Sequence, residues 1–394
     1  MSVYIHEMAT AVPEQYYSQD TIREAMKTHG ATDRRSNRLI DRIYNNSGIS
    51  RRHTVIPDLA PGSTTHQFFH PQQGALVPTT GQRNKLYKYH ARGLYREAAR
   101  KTLNQSPQFS AEDITHVITV SCTGFYAPGP DFHLVRDLEL NPDTQRFHVG
   151  FMGCFAAFPA LKMAHSFAQQ NPEAVILVVT LELCSLHLQF KEDVDTLISN
   201  SVFADGAAAA LVSKRTPHTT RPSFKLTGFA SNITDEGEED MAWDIGDTGF
   251  DMVLSTYVPK IIESNLQETV RNLLDRYELR PAHIHKWAIH PGGRSILDKV
   301  EHSMELKKEQ IADSRHILDR YGNMSSATVL FVLHNILYNS SAEADGPRFD
   351  NRIFTMAFGP GLTIESAIMS LIPGLPEKTS SIQHADTVAA QTPQ

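Results

Sequence analysis

Residues 151–184 read FMGCFAAFPALKMAHSFAQQNPEAVILVVTLELC. From Gly153 to about Gln170 the pattern is helical, with small residues on the face that would meet a core. Ala174–Cys184 follows as a run of Val, Ile and Leu. A bilayer span takes roughly 18–20 apolar residues. This run is shorter and carries Glu182, so it reads as a strand buried on both faces. A helix feeding a doubly buried strand is the repeating unit of an α/β fold.

Working outward, the same alternation continues. Upstream, Ser2–Pro13 reads as a strand and turn, and Ser18 to Asn46 as helical. Pro57–Gly81 is rich in Pro, Gly, Thr and His and reads as a long surface excursion. Lys85–Leu103 is helical, and Ile114–Ser121 is a β-branched strand. Downstream, the alanines of Asp205–Val212 suit close packing, and the polar stretch after Arg215 reads as a junction between halves. In the second half, Val258–Tyr277 is amphipathic, with Ile261, Ile262, Leu266, Val270, Leu273 and Leu274 at helical spacing. His285–His290 is a short strand ending in Pro-Gly-Gly, and Ser295–Met304 is a helix. Asn323–Leu337 turns from small polar residues into an apolar helix, and Ile353–Phe358 is a strand ending in Gly-Pro-Gly. The Ser-, Thr-, Ala- and Gln-rich tail from about Glu377 is expected to be disordered. No short tandem repeat points to a solenoid.

The chain has 394 residues, 41% hydrophobic and 21% charged, an ordinary globular composition. A net charge of −7 leaves no basic footprint for nucleic acid, yet a local basic patch would suffice for an anionic small molecule. Three cysteines, Cys122, Cys154 and Cys184, show neither a CxxC pair nor zinc-ligand spacing. Reduced thiols and a cytoplasmic setting are expected. The N-terminal MSVYIHEMAT lacks the basic region and apolar core of a signal peptide.

Three residues at element boundaries carry the candidate chemistry. Cys154 stands where a helix should begin, and the helix dipole and free N–H groups there favour a thiolate. Many cysteines are simply small buried hydrophobes. Pro159 cannot donate a helical hydrogen bond, so the helix should start later than Cys154 or bend near it. His290 ends a strand before two glycines that allow close approach of a ligand, and an imidazole is the usual partner of a nucleophilic thiol. It is also one of 19 histidines, and a turn histidine can be structural. Asn323 in YGNMSSAT suits an N-cap or an amide donor to an oxyanion. Cys, His and Asn in this order also occur in papain-like proteases, but the QGSCW-like context is absent.

MGCFAAF around Cys154, FADGAAA from Phe203, AIHPGGRSILDKVE around His290, YGNMSSATVLFVL around Asn323, FGPGLTIE from Phe358 and SGISRRH from Ser47 together resemble the type III polyketide synthases, the chalcone and stilbene synthase family. The resemblance implies a thiolase-like fold, two pseudo-symmetric halves in five αβαβα layers, and a homodimer. The expected halves are 1–222 and 223–375, with a tail from 376. It implies Cys154 as the acyl-accepting nucleophile, His290 as its partner, and His290 with Asn323 as the pair that binds the malonyl-CoA thioester carbonyl. Phe203 and Phe250 match gatekeepers between the CoA tunnel and the cavity, and Cys184, Cys122 and Ser325 are expected to line that pocket. Acyl-CoA and malonyl-CoA would be the substrates, with no metal or redox cofactor.

The departures are informative. Arg42 matches a CoA-phosphate ligand, but neighbouring basic positions fall on Leu39 and Asn46. Arg38, Arg51 and Arg52 are the nearby candidates to supply the missing charge. Cys184 replaces a threonine of plant enzymes, Ala127 a methionine and Ala357 a glycine. ELCSLH and WDIGDTGF look more like bacterial or fungal alkylpyrone and alkylresorcinol synthases, which favours a fatty acyl starter. A β-ketoacyl synthase III-like enzyme making one condensation shares the Cys-His-Asn set and is the main alternative. A non-catalytic thiolase-fold subunit is the other.

Overall fold

The computed structural model describes residues 2–30, 33–59, 63, 65–70, 74–339 and 351–375. The expected tail from 376 lies outside them, as does part of the 57–81 excursion. Nine strands form one mixed sheet. In chain order they are β1 (Val3–Ala11), β2 (His116–Ser121), β3 (Gln145–Gly150), β4 (Val175–Leu183), β5 (Asp205–Ser213), β6 (Ser223–Ile233), β7 (Lys286–Ile289), β8 (Arg352–Gly359) and β9 (Thr363–Ile372). Their spatial order is β7-β8-β9-β6-β1-β5-β4-β2-β3.

The order contains a repeat. From β1 outward, the pairings to β5 and β4 are antiparallel, and those to β2 and β3 are parallel. From β6 outward, the pairings to β9 and β8 are antiparallel and that to β7 is parallel. The two halves meet where Val3, Tyr4 and Ile5 pair antiparallel with Leu226, Lys225 and Phe224. This is the pseudo-symmetry expected of the thiolase-like fold.

Both faces of each half are covered. Along β4, Ile176 and Val178 join the central core, whereas Val175, Leu177 and Val179 join the outer one. Along β5, Ala208, Ala210 and Val212 face inward, and Ala207, Ala209 and Leu211 outward. The outer face of the first half carries α1 (Thr80–Gln105). That of the second half carries α3 (Val258–Asp275), α4 (Arg294–Ser303) and α5 (Lys308–Tyr321). Between the halves lie α2 (Ala157–Gln170) and α6 (Thr328–Asn339), both in the central core. The layers are therefore αβαβα. Alanine at 160, 164 and 168 on α2 lets these central helices approach the alanine strand closely.

Several boundaries differ from the sequence reading. Helix α2 starts at Ala157, not Gly153. Pro159 then falls in the first turn, where an N–H has no helical acceptor to lose. The Ser18–Asn46 region is two helices, Gln19–Gly30 and Arg34–Asn45. Asn323 precedes a short 3-10 turn, Ser325–Ala327, and α6 begins only at Thr328. A separate hairpin, Met241–Gly246 with Gly249–Leu254, had no counterpart in the sequence reading.

Because Ala208 on β5 is fully buried on the face turned to the central helices, Ala208→Leu should overpack the core. Its cost is expected to be ~1–3 kcal/mol of unfolding free energy, read by urea denaturation. An unchanged midpoint would show that this layer tolerates added volume.

Candidate active site

Strand β3 ends at Gly150, and the chain turns sharply before α2. Phe151 and Gly153 have φ of 57° and 83°. The Gly153 N–H donates to Cys122 Sγ at 3.0 Å. A Cβ on Gly153 would overlap the Pro360 ring. The Gly-Pro-Gly loop after β8 thus clamps the turn that presents Cys154, and only glycine fits at 153 on both counts. Cys154 is buried, in the turn just before Ala156, which caps α2.

His290 follows β7, and its N–H donates to the Met356 carbonyl at 2.8 Å. Its side chain is buried, and neither ring nitrogen has a hydrogen-bond partner among the described residues. Asn323 is fixed on both sides. Its Oδ1 accepts from the Ser325 N–H at 2.9 Å, and its Nδ2 donates to the Gly292 carbonyl at 3.2 Å. With the oxygen engaged by a backbone donor, the second Nδ2 hydrogen is left for the cavity. The backbone of Asn323 bridges to Phe203: Asn323 N–H donates to Val202 and Ala204 N–H donates to Asn323.

Cys154, His290, Asn323 and Ser325 line one cavity, together with Cys122, Cys184 and Phe203. It leaves about 30 Å³ to a water-sized sphere, little more than one water position. Burial pushes the Cys154 thiol up to about 11, against hydrogen bonds from Ser325 and Asn323 that pull it down. The nearby Glu182 carboxyl adds to the upward push. Burial also drives His290 down to about 3. Each group alone therefore favours its neutral form. Transfer of the thiol proton to the imidazole would create opposite charges that offset one another's loss of hydration.

Glu182 is the acid that interrupts the apolar β4. It is fully buried and takes hydrogen bonds from the Cys122 N–H at 2.9 Å, Thr123 Oγ1 at 2.9 Å, Ser121 Oγ at 3.3 Å and Ser326 Oγ. Burial raises its pKa. The sequence showed only an acid out of place in an apolar run. Its donors could not be assigned without the fold.

A second cavity of about 230 Å³ lies behind the first. They share Cys184, Phe203, Trp243 and Met252 as a wall. Ile22, Ile56, Leu59 and Leu188 line the inner part of the second, and the Lys191–Asp251 ion pair (2.9 Å) lies at its rim. Of the two expected gatekeepers, Phe203 lines both cavities, whereas Phe250 lines only the second, its ring stacked on His187 with centroids 4.0 Å apart. Two residues on, and so on the same face of the strand, Met252 reaches the Cys154 cavity instead.

Of the expected cationic residues, Arg38, Arg42 and Arg51 line neither cavity. Arg38 and Arg42 are exposed on the helix Arg34–Asn45, and the Arg51 guanidinium lies 4.9 Å over the Tyr16 ring. Arg52 lines the second cavity but is buried. Its Nε donates to Gln19 Oε1 (3.0 Å) and its Nη1 to the carbonyls of Asn200 (2.8 Å) and Phe203 (2.6 Å), so these two nitrogens hold the wall, while Nη2 has no partner among the described residues. No described helix is long and apolar enough to cross a membrane.

The sequence profile of the chalcone and stilbene synthase N-terminal domain matches residues 3–216, and that of the C-terminal domain matches 226–373. The "Alpha-pyrone synthesis polyketide synthase-like Pks18" of Mycobacterium tuberculosis is 29% identical over 374 residues, covering 93% of this chain and 91% of that protein. "Probable polyketide synthase 1" of Dictyostelium discoideum is 29% identical over 371 residues, 93% of this chain but 11% of that much longer protein. Among solved structures, PKS-I from the brown alga Ectocarpus siliculosus matches with a TM-score of 0.87 at 28% identity, covering 94% of this chain and 99% of that one. The C-terminal type III domain of Steely1, a type I/III hybrid from Dictyostelium, matches at 0.84 with 28% identity over 94% and 99%.

If the thiol and imidazole titrate as a pair, removing the ring exposes the thiol to its burial alone. His290→Ala should move the pH midpoint of Cys154 alkylation by iodoacetamide upward by at least about one unit, or ~1.4 kcal/mol. An unmoved midpoint would separate His290 from thiol ionisation.

Proposed function

The chain belongs to the chalcone and stilbene synthase family of type III polyketide synthases, and from that premise we propose that it loads a fatty acyl-CoA starter on Cys154 and extends it with malonyl-CoA. The observation that carries the reading is the shared cavity of Cys154, His290 and Asn323, backed by a larger, largely apolar one. The first accounts for the chemistry and the second for an alkyl tail. Pks18, a relative matched along nearly its whole length, bears the name of an α-pyrone synthase, which supports an alkylpyrone product here; an alkylresorcinol is the other product of this scheme.

In this scheme Cys154 Sγ attacks the starter thioester as His290 takes its proton, and CoA departs as the thiol after reprotonation. Malonyl-CoA then releases CO2. The electron pair left behind forms an enolate whose oxygen faces His290 and the spare Asn323 N–H. Donors fixed in a dry site need no reorganisation as that charge forms. The enolate carbon attacks the Cys154 thioester, the thiolate leaves, and the chain is two carbons longer on CoA. Return to Cys154 permits another round. No metal or redox cofactor enters. Exposed Arg42 and Arg38, with Arg51, are proposed to meet CoA phosphates outside the cavities. A homodimer in a cytoplasmic, reducing setting completes the reading.

The test is mass spectrometry of products from malonyl-CoA with acyl-CoAs from acetyl to palmitoyl. Multiply extended, cyclised products from long starters are expected. A single extension that requires an acyl-carrier protein would favour a β-ketoacyl synthase III-like enzyme. Cys154→Ala should show no acyl-enzyme adduct, and full activity in that variant would indicate a non-catalytic thiol. Asn323→Ala should lower malonyl-CoA decarboxylation by about 10²–10³-fold, and normal decarboxylation would remove Asn323 from this step.

A further inference from the structure

The hairpin Met241–Gly246/Gly249–Leu254 forms a two-stranded ladder of its own, outside the nine-stranded sheet. It nevertheless supplies much of the wall. Trp243 and Met252 line both cavities, Met241 and Leu254 the first, and Phe250 and Val253 the second. Its turn is held by Thr80, whose Oγ1 accepts from the Gly249 N–H at 2.9 Å, and by Gln189 Nε2 on the Thr248 carbonyl at 3.2 Å. Nearer the cavities, two side chains tie it to the end of β2. Trp243 Nε1 donates to the Cys122 carbonyl at 3.0 Å. His187 bridges the Thr123 carbonyl (Nε2, 2.8 Å) and the Phe250 N–H (Nδ1, 3.0 Å).

We propose that His187, which itself lines the second cavity, sets which acyl chain lengths are accepted chiefly by pinning this hairpin to the peptide groups beside the nucleophile turn. The proposal rests on the polyketide synthase reading above. The chemistry of the bridge is specific. Thr123 offers a carbonyl and Phe250 an N–H, so the ring must donate at Nε2 and accept at Nδ1. Only the neutral imidazole in one tautomer does both. Burial keeps it neutral, driving it down to about 3. The ring also lies nearly parallel to Phe250, at 13°. Phe250 and Met252 share a strand face, so a shift at Phe250 carries Met252 with it. Met252 belongs to the wall of a cavity that has little spare room. A loosened hairpin therefore loses its preorganised fit to a long tail, and the loss falls on binding.

His187→Phe keeps the stack and removes both hydrogen bonds, and Trp243→Phe removes the other tie. Each should lower the kcat/KM ratio of palmitoyl-CoA to butyryl-CoA by about tenfold, through KM rather than kcat. His187→Gln, which restores a donor and an acceptor, should recover most of that ratio. In parallel, hydrogen exchange should quicken in peptides covering 241–254 of either Phe variant and stay unchanged in 175–183. An unchanged ratio, or unchanged hairpin exchange in a folded variant, overturns the proposal. Wild-type protein inactive with every acyl-CoA would overturn the functional reading and the chain-length role with it, while exchange would still decide whether His187 pins the hairpin.

Discussion

One buried carboxylate organises the site. Glu182 sits at the end of β4, where four donors converge on it from both halves of the molecule. A carboxyl group without partners would be very costly at that depth, so the fold must bring Ser121, Cys122 and Thr123 to it from one side and Ser326 from the other. That requirement fixes more than Glu182. Cys122, held by its N–H, offers its thiol to Gly153 and its carbonyl to Trp243. Thr123, held by its hydroxyl, offers its carbonyl to His187. Ser326 lies three residues beyond Asn323, in the turn whose Ser325 N–H orients the Asn323 amide. The nucleophile turn, the amide donor and the hairpin wall are all referred to one acid.

That arrangement carries a chemical conflict. The field of Glu182 opposes a thiolate at Cys154, as burial does. In the proposed reaction a site assembled around a carboxyl group needs a compensating positive charge near the thiol, and His290, in the same cavity, is the group proposed to supply it. Its ring nitrogens make no competing hydrogen bonds, so nothing else holds its proton state. The absence of partners on His290 among the described residues, a defect in an ordinary buried histidine, fits the role proposed for it, in which the ring takes a proton from sulfur and later holds an oxyanion.

The fold was legible wherever burial leaves an unambiguous pattern. VILVVTLEL could be a doubly buried strand because both of its faces meet hydrophobic layers, and alternate residues do divide between two cores. Cys154, His290 and Asn323 were legible as residues at element ends, where a sheet delivers side chains to a cleft. Strand β6 was hidden because its sequence, SFKLTGFASNI, is largely part-exposed, so neither alternation nor an apolar run marks it. Met252 was missed in favour of Phe250 for a related reason. Period-two geometry puts both on one face, and only the path of the hairpin decides which reaches the nucleophile. Arg52 misled in the opposite direction: its charge suggested a phosphate, while its burial commits it to carbonyls of the wall.

The wall between the cavities follows from how these constraints meet. Phe203 is placed by the backbone bridge to Asn323 and by Arg52 on its carbonyl. Cys184 is placed by β4, two residues after Glu182. Trp243 and Met252 come from the hairpin, tied back to Cys122 and Thr123. Of the four wall residues, Phe203 and Cys184 are fixed by the doubly covered sheet and its flanking turns, whose packing resists displacement. The other two stand on a two-stranded element outside that sheet, held by side-chain hydrogen bonds, the Thr80 N–H on the Asp247 carbonyl and the burial of Met241 and Phe250. Variation in cavity depth is therefore easiest at the hairpin, where a small displacement changes the space in the second cavity without moving the sulfur of Cys154, the imidazole of His290 and the amide of Asn323.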